Sequence, residues 1–296
     1  MTTRNKSKVT KIILAVFLLM VVMTGCAGAE ASGTSGNDNL LKTAVLKIGK
    51  ADAIVIWQNE HAMIIDCGEE EDGQEIIDYL AKIGIDHIET LIITHYDKDH
   101  VGGADFVIEN VPVDRILVPD YEGTSTDYHD FMTAVDAAGM TLERLTESVS
   151  FTLGDAVVTV DAPLDYSIAA KVHTNPNVEI DNNLSLITTI VHGSNRLVYM
   201  GDAEKARIKE FLTTEAAVDC DFLKVPHHGV YNTELINLIE AVTPEYAAIC
   251  DSQKNPASQD TLQLLKDKGI TTRQTMAGRI TVISDGKKVD IEQKVK

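Results

Sequence analysis

Short runs of consecutive apolar residues alternate along the chain with longer segments whose apolar positions recur every three or four residues. The runs, rich in Val, Ile and Leu, predict strands near 43–48, 53–58, 61–66, 90–94, 115–118, 150–152, 156–161, 184–191, 196–200, 221–225, 246–250 and 280–290. The periodic segments predict helices near 74–83, 103–110, 128–139, 203–214, 233–241 and 258–268. Strands and helices interleave, which indicates an α/β fold. Asn59-Glu60 and Gly193-Ser194-Asn195 interrupt apolar runs as hairpin turns. About 250 residues follow the N-terminal region without a Pro/Gly-rich linker, so one large domain over 42–296 accounts for them.

The beginning of the chain has a different pattern. Arg4, Lys6, Lys8 and Lys11 precede the apolar run Ile12 to Val22, the charge-then-apolar order of a secretory signal and short for a membrane span. Met23-Thr24-Gly25-Cys26 resembles a bacterial lipobox, which implies cleavage after residue 25 and lipidation of Cys26. Residues 1–25 are then a signal peptide. Residues 26–41 form a small, polar tether that cannot bury enough apolar surface to order itself. The expected location is the outer face of a bacterial membrane, held by lipid.

Charge narrows the partners. The whole chain carries −19, and removing the signal, with four basic and no acidic side chains, takes it to −23. A generic nucleic-acid surface needs clustered Lys and Arg, and no basic stripe is present. The run Glu69-Glu70-Glu71-Asp72 is a solvated turn. Beyond Cys26, the remaining Cys67, Cys220 and Cys250 have no regular spacing and read as single buried thiols, Cys67 included despite its place near the expected site.

The densest chemistry lies in His95-Tyr96-Asp97-Lys98-Asp99-His100, directly after the apolar Leu91-Ile92-Ile93-Thr94. Four potential metal ligands in six residues include two carboxylates that would repel each other at a shared site unless a divalent ion neutralised them. Gly102-Gly103 follow, where backbone turns tightly and approaches a ligand, and then a helical run. A strand-to-helix loop is where α/β proteins place their chemistry.

Thr94 to Gly103 resembles the metal motif of metallo-β-lactamase-fold hydrolases, and more narrowly the branch that contains the ComEC/Rec2 competence proteins. In order along the chain, Gly49 to Ile54 and Ile64 to Gly68 resemble the family's opening hairpin. Met200 to Glu204 and Leu223 to Gly229 resemble its later metal motifs. The resemblance implies an αββα four-layer sandwich and two divalent ions, Zn or Mn, on His95, Asp97, Asp99, His100, Asp202 and one of His227 and His228. Asp202 would bridge the ions and Asp99 would orient a bridging hydroxide. The second histidine, His228 by preference, would contact substrate or donate a proton. Lys224 would aid a phosphate anion or lie at the surface.

Three departures from the family pattern stand out. Asp97 replaces a common histidine, no histidine occurs at Asn182-Asn183, and Asn255-Pro256-Ala257-Ser258-Gln259 lacks the histidine of the family's last segment. His173 could reach the site but reads as a solvated loop residue. His192 sits at the opposite end of a hairpin from Asp202, roughly 20–25 Å away at about 3.3 Å per residue, and reads as a surface turn residue. The resemblance and the carboxylate-rich ligand set together imply a membrane-tethered phosphodiesterase acting on a small or wall-polymer diester. Its alternatives are a nuclease for extracellular DNA, a phosphorylcholine or teichoic-acid esterase, a β-lactamase or lactonase, and a metal-binding lipoprotein without turnover. Substrate choice would reside in loops such as Asp120 to Gly123 and Tyr166 to Asn177.

Overall fold

The computed structural model describes residues 39–169 and 181–295. Cys26, the signal segment and His173 lie outside them. Two mixed β-sheets pack face to face. The first has the order β15-β14-β1-β2-β3-β4-β5-β6, with β1 at Leu41–Val45, β2 at Ala53–Gln58, β3 at His61–Cys67, β4 at Thr90–Ile92, β5 at Ile116–Pro119, β6 at Leu142–Leu145, β14 at Gly278–Ser284 and β15 at Val289–Val295. The second has the order β13-β12-β11-β10-β9-β8-β7, with β7 at Val149–Leu153, β8 at Ala156–Asp161, β9 at Ile187–His192, β10 at Asn195–Tyr199, β11 at Phe222–Lys224, β12 at Tyr246–Ile249 and β13 at Thr271–Gln274.

The continuous apolar runs have a physical cause in this layering. Successive side chains of a strand point to opposite faces, and in the central strands both faces are buried. Met63, Ile65, Ile92 and Leu117 enter the core between the sheets, where they meet Leu197, Tyr199 and Phe222 of the other sheet. Their neighbours Ile64, Leu91, Ile116 and Val118 face an outer layer that includes α1 (Gly73–Ile83), α3 (Ala104–Asn110) and α4 (Thr126–Ala137). On the opposite side Val198, Leu223 and Ala247 pack under α5 (Lys205–Phe211), α6 (Glu234–Val242) and α7 (Gln259–Asp267). This is the αββα order the sequence implied. No helix among the described residues is long and apolar enough to cross a membrane.

Both expected hairpins are present, with Gln58 opposite His61 and His192 opposite Asn195. Several local expectations are corrected. The run assigned to one strand at 280–290 is two strands, β14 and β15, broken at Gly286 with φ +81°. The strand expected over 184–191 is β9, Ile187–His192, preceded by a 3-10 turn at Asp181–Leu184 that holds Asn182 and Asn183. Asn183 Oδ1 accepts from the N–H groups of Ala206 and Arg207, so this residue caps α5. Gly102 and Gly103 form the turn between two helical segments, as expected, but with φ −54° and −85° they are needed for close backbone packing rather than for a positive φ. A Cβ on Gly103 would lie 2.5 Å from the Cys67 carbonyl oxygen.

His192 is not a surface residue. It is 4 % exposed, and its Nδ1 lies 2.8 Å from Ser284 Oγ, where the ends of β9 and β14 meet. That contact gives it a structural role far from Asp202. The acidic turn also departs from expectation, because Asp72 is half-buried and burial pushes its carboxyl up to about 6. The three described cysteines are free and buried, as expected.

Candidate metal centre

Parallel pairing of β3 with β4 and of β10 with β11 brings four strand-end segments to one place. They carry Asp66, residues 95–100, Asp202 and residues 227–228. α2 (Lys98–Val101), too short to show any periodicity, starts within the motif and turns Asp99 and His100 inward. His95, Asp99, His100, Asp202 and His228 are all buried; His227 and Asp97 are partly open.

Asp66, buried at the end of an apolar strand, organises the histidines. Its carboxylate accepts the Thr94 N–H at 2.7 Å, the Thr94 hydroxyl at 2.7 Å and His100 Nδ1 at 2.8 Å. With its proton committed to Asp66, Thr94 Oγ1 can accept from His95 Nδ1 at 3.0 Å. Both rings therefore carry their hydrogen on Nδ1 and turn Nε2 toward the cluster, the arrangement by which an outer carboxylate fixes a ligand histidine. His100 Nε2 then lies 3.3 Å from Asp202 Oδ2.

Asp202 is the centre of the cluster. Its Oδ2 is 3.3 Å from His100, 3.0 Å from His228 Nε2 and 4.0 Å from His227 Nε2. His228 Nε2 also lies 3.2 Å from Asp99 Oδ2. The adjacent histidines diverge, with ring planes 66° apart, because both have left-handed backbone, φ +47° and +52°. Such values are strained for non-glycine residues and occur where surrounding structure enforces them. His228 points into the cluster, while His227 Nδ1 reaches Glu204 Oε1 at 3.3 Å.

The unsatisfied atoms identify what this arrangement fits. Six buried polar atoms here lack a hydrogen bond: Nε2 of His95 and His100, both ring nitrogens of His228, Asp202 Oδ1 and Asp52 Oδ1. Buried polar groups are nearly always bonded, so orphans concentrated in one place suit a cation. Two triads have donor atoms within 4.8 Å of one another: His95, His100 and Asp202; and Asp99, His100 and His228. The mixed imidazole and carboxylate set matches divalent Zn or Mn chemistry. A third triad, Asp52, Asp66 and His100, is already engaged by Lys224 and Thr94.

Four contributors were not assigned roles from sequence. Asp66 is one, and Asp52, Lys50 and Asp181 are the others. Lys224 is not a surface lysine: it is fully buried, with Nζ 2.6 Å from Asp52 Oδ2, while Asp52 Oδ1 lies 3.6 Å from His228 Nδ1. Lys50 Nζ lies 2.6 Å from Asp99 Oδ2. Asp181 hydrogen-bonds Asp97; burial first, then the Asp97 charge, pushes its carboxyl up to about 7. Burial opposes ionisation of Asp97, but its His95 contact prevails and holds it at about 2. One signal was available in the sequence: Asp66 and Lys224 are lone charges inside otherwise apolar strands, where a charge needs a partner.

Burial alone would lower His228, yet the carboxylates of Asp202, Asp99 and Asp52 outweigh it and raise the imidazole to about 9. Raised from 6.5, this group stabilises the metal-free fold fully below pH 6.5 and loses that contribution as pH climbs through about 9. A cation needs the neutral ring, so uptake of Zn or Mn is expected to release a proton at neutral pH and to tighten up to about pH 9. Calorimetry in buffers of different ionisation enthalpy measures this. Proton-independent uptake across that range would remove His228 from the ligand set.

The matching family model, the metallo-beta-lactamase superfamily, covers residues 47–250. ComE operon protein 3 of Bacillus subtilis is 26 % identical over 203 residues, 68 % of this chain and 25 % of that protein. Recombination protein 2 of Haemophilus influenzae is 27 % identical over 219 residues, 71 % of this chain and 24 % of that protein. The chain thus matches about a quarter of the length of these curated relatives. Among solved structures, the metallo-beta-lactamase fold protein YhfI of Bacillus subtilis superposes with a TM-score of 0.54 at 11 % identity, over 85 % of this chain and all of that one. Matched in its motifs, its four layers and more than half its length, the chain belongs to the metallo-beta-lactamase superfamily.

Proposed function

We propose that this metal-dependent hydrolase is a phosphodiesterase, tethered through Cys26 to the outer face of a membrane. The observation that carries the reading is the carboxylate content of the cluster: Asp97, Asp99 and Asp202 stand beside His95, His100, His227 and His228. His95, Asp97, Asp99, His100, Asp202 and His228 or His227 would hold the divalent ions. A pair of such ions supplies Lewis acidity to a phosphoryl centre and a lowered pKa for water. The protein's own work is positional. Asp66 fixes His100, the Asp52–Lys224 pair backs His228, and Asp99 orients the attacking group.

A phosphoryl centre offers oxygens to both ions, whereas a lactam carbonyl develops one oxyanion. Nitrophenyl phosphodiesters are therefore expected to be cleaved faster than a β-lactam at equal metal loading; the reverse order would overturn the reading. A second reading, a nucleic-acid diester as substrate, draws on the likeness to Recombination protein 2. The −19 charge opposes it for long DNA, since repulsion acts over about 10 Å at 0.1 M salt. Tight cleavage of long duplex with little action on small diesters would favour it.

A further inference from the structure

We propose that Lys50 binds the anionic group of the substrate. A cation seated on Asp99 takes the carboxylate that the ammonium now holds, and the lysine stem carries the freed charge to a phosphoryl oxygen at the site mouth. The inference rests on the reading of the cluster as a divalent-metal site.

Competition for one oxygen is the starting point. Asp99 Oδ2 lies 2.6 Å from Lys50 Nζ and 3.2 Å from His228 Nε2. A divalent ion on that carboxylate and an ammonium at the same oxygen repel each other, so one must yield. The ion has the histidines and Asp202 as further ligands, and the lysine has four rotatable carbons.

Where the ammonium can go follows from its mounting. Lys50 lies in the turn between β1 and β2, next to Gly49 at φ +76°. That turn is closed by the Leu46 N–H on the Ala53 carbonyl at 3.0 Å, and it is tied to the metal motif by the Asp52 N–H on the Asp99 carbonyl at 3.1 Å. The backbone is thus fixed against the site. The side chain is 34 % exposed while Asp99 is 7 % exposed, so it spans from the cluster to solvent. Lys224 cannot serve, being fully buried on Asp52. Lys98, 64 % exposed, is directed to Glu69 at 3.5 Å.

Chemistry supplies the need. The ions would neutralise the carboxylates of the cluster, but an anionic substrate still approaches a chain of charge −19. A lysine at the mouth offsets that field where the anion must enter, and a charge-assisted hydrogen bond to a phosphoryl oxygen adds to the hold.

The test uses the metal-loaded soluble protein, Lys50→Met and Lys50→Arg, with inorganic phosphate as the probe by calorimetry and chelator competition for Zn or Mn. Lys50→Met is expected to weaken phosphate binding by about tenfold or more, to keep or tighten metal affinity, and to raise KM for a diester more than it lowers kcat. Lys50→Arg should retain most of the phosphate affinity. Phosphate affinity within twofold of wild type in Lys50→Met, loss of metal in that variant, or a loaded wild-type protein that binds no phosphate would each overturn the proposal. Phosphate binding that depends on Lys50 in a protein unable to cleave any diester would sustain Lys50 and sink the phosphodiesterase reading instead.

Discussion

Asp202→Ala is expected to lower turnover of the preferred substrate by about a thousandfold or more, a barrier change of about 4 kcal/mol. One carboxylate, 2 % exposed, faces both central histidines at 3.3 and 3.0 Å and a third at 4.0 Å. No neighbour can replace it, because Asp99 faces His228 as part of the second ligand set and Asp66 is spent on Thr94 and His100. Bound metal should fall in parallel, measurable by elemental analysis of the purified variant. The fold should persist, since Asp202 follows β10 in a turn and supports no apolar packing. Asp202→Asn, which keeps the volume and removes the charge, should lose metal as well. Near-normal metal content and rate in both variants would show that this carboxylate is not a ligand.

Asp52→Ala is expected to destabilise the metal-free protein by about 3–5 kcal/mol, because the Lys224 ammonium would remain fully buried without its carboxylate. Urea unfolding measures the loss. Combining Asp52→Leu with Lys224→Met should restore much of the stability, since apolar replacement of a buried pair is often neutral. Activity should not return with it, because His228 would lack the carboxylate behind its Nδ1. A loss below about 1 kcal/mol for Asp52→Ala would mean that water reaches Lys224 and that the pair does not support the site.

The sequence exposed the layers and the ligands unequally, for physical reasons. Central strands such as β3 and β11 are buried on both faces, so they stand out as apolar runs. The strands that went unread, Leu142–Leu145 and Thr271–Gln274, are the outermost of their parallel segments, one at the edge of each sheet. Each is four residues long and carries charged side chains, as edges commonly do. Candidate ligands gathered within one loop, His95 to His100, were legible because crowding itself is a signal. Asp52, Asp66 and Asp181 enter singly from other segments, and only the pairing of distant strands brings them in. Hairpin length alone separates His192 from Asp202, whereas its burial depends on Ser284, 92 residues away, and has no signal in the local sequence.

Titration of the metal-free protein with Zn or Mn shows whether the buried His and Asp cluster holds divalent metal. The expected result is saturable uptake approaching two ions per folded chain, with appearance of esterase activity that chelation removes. A folded protein that takes up neither ion would show that the cluster is not a metal site.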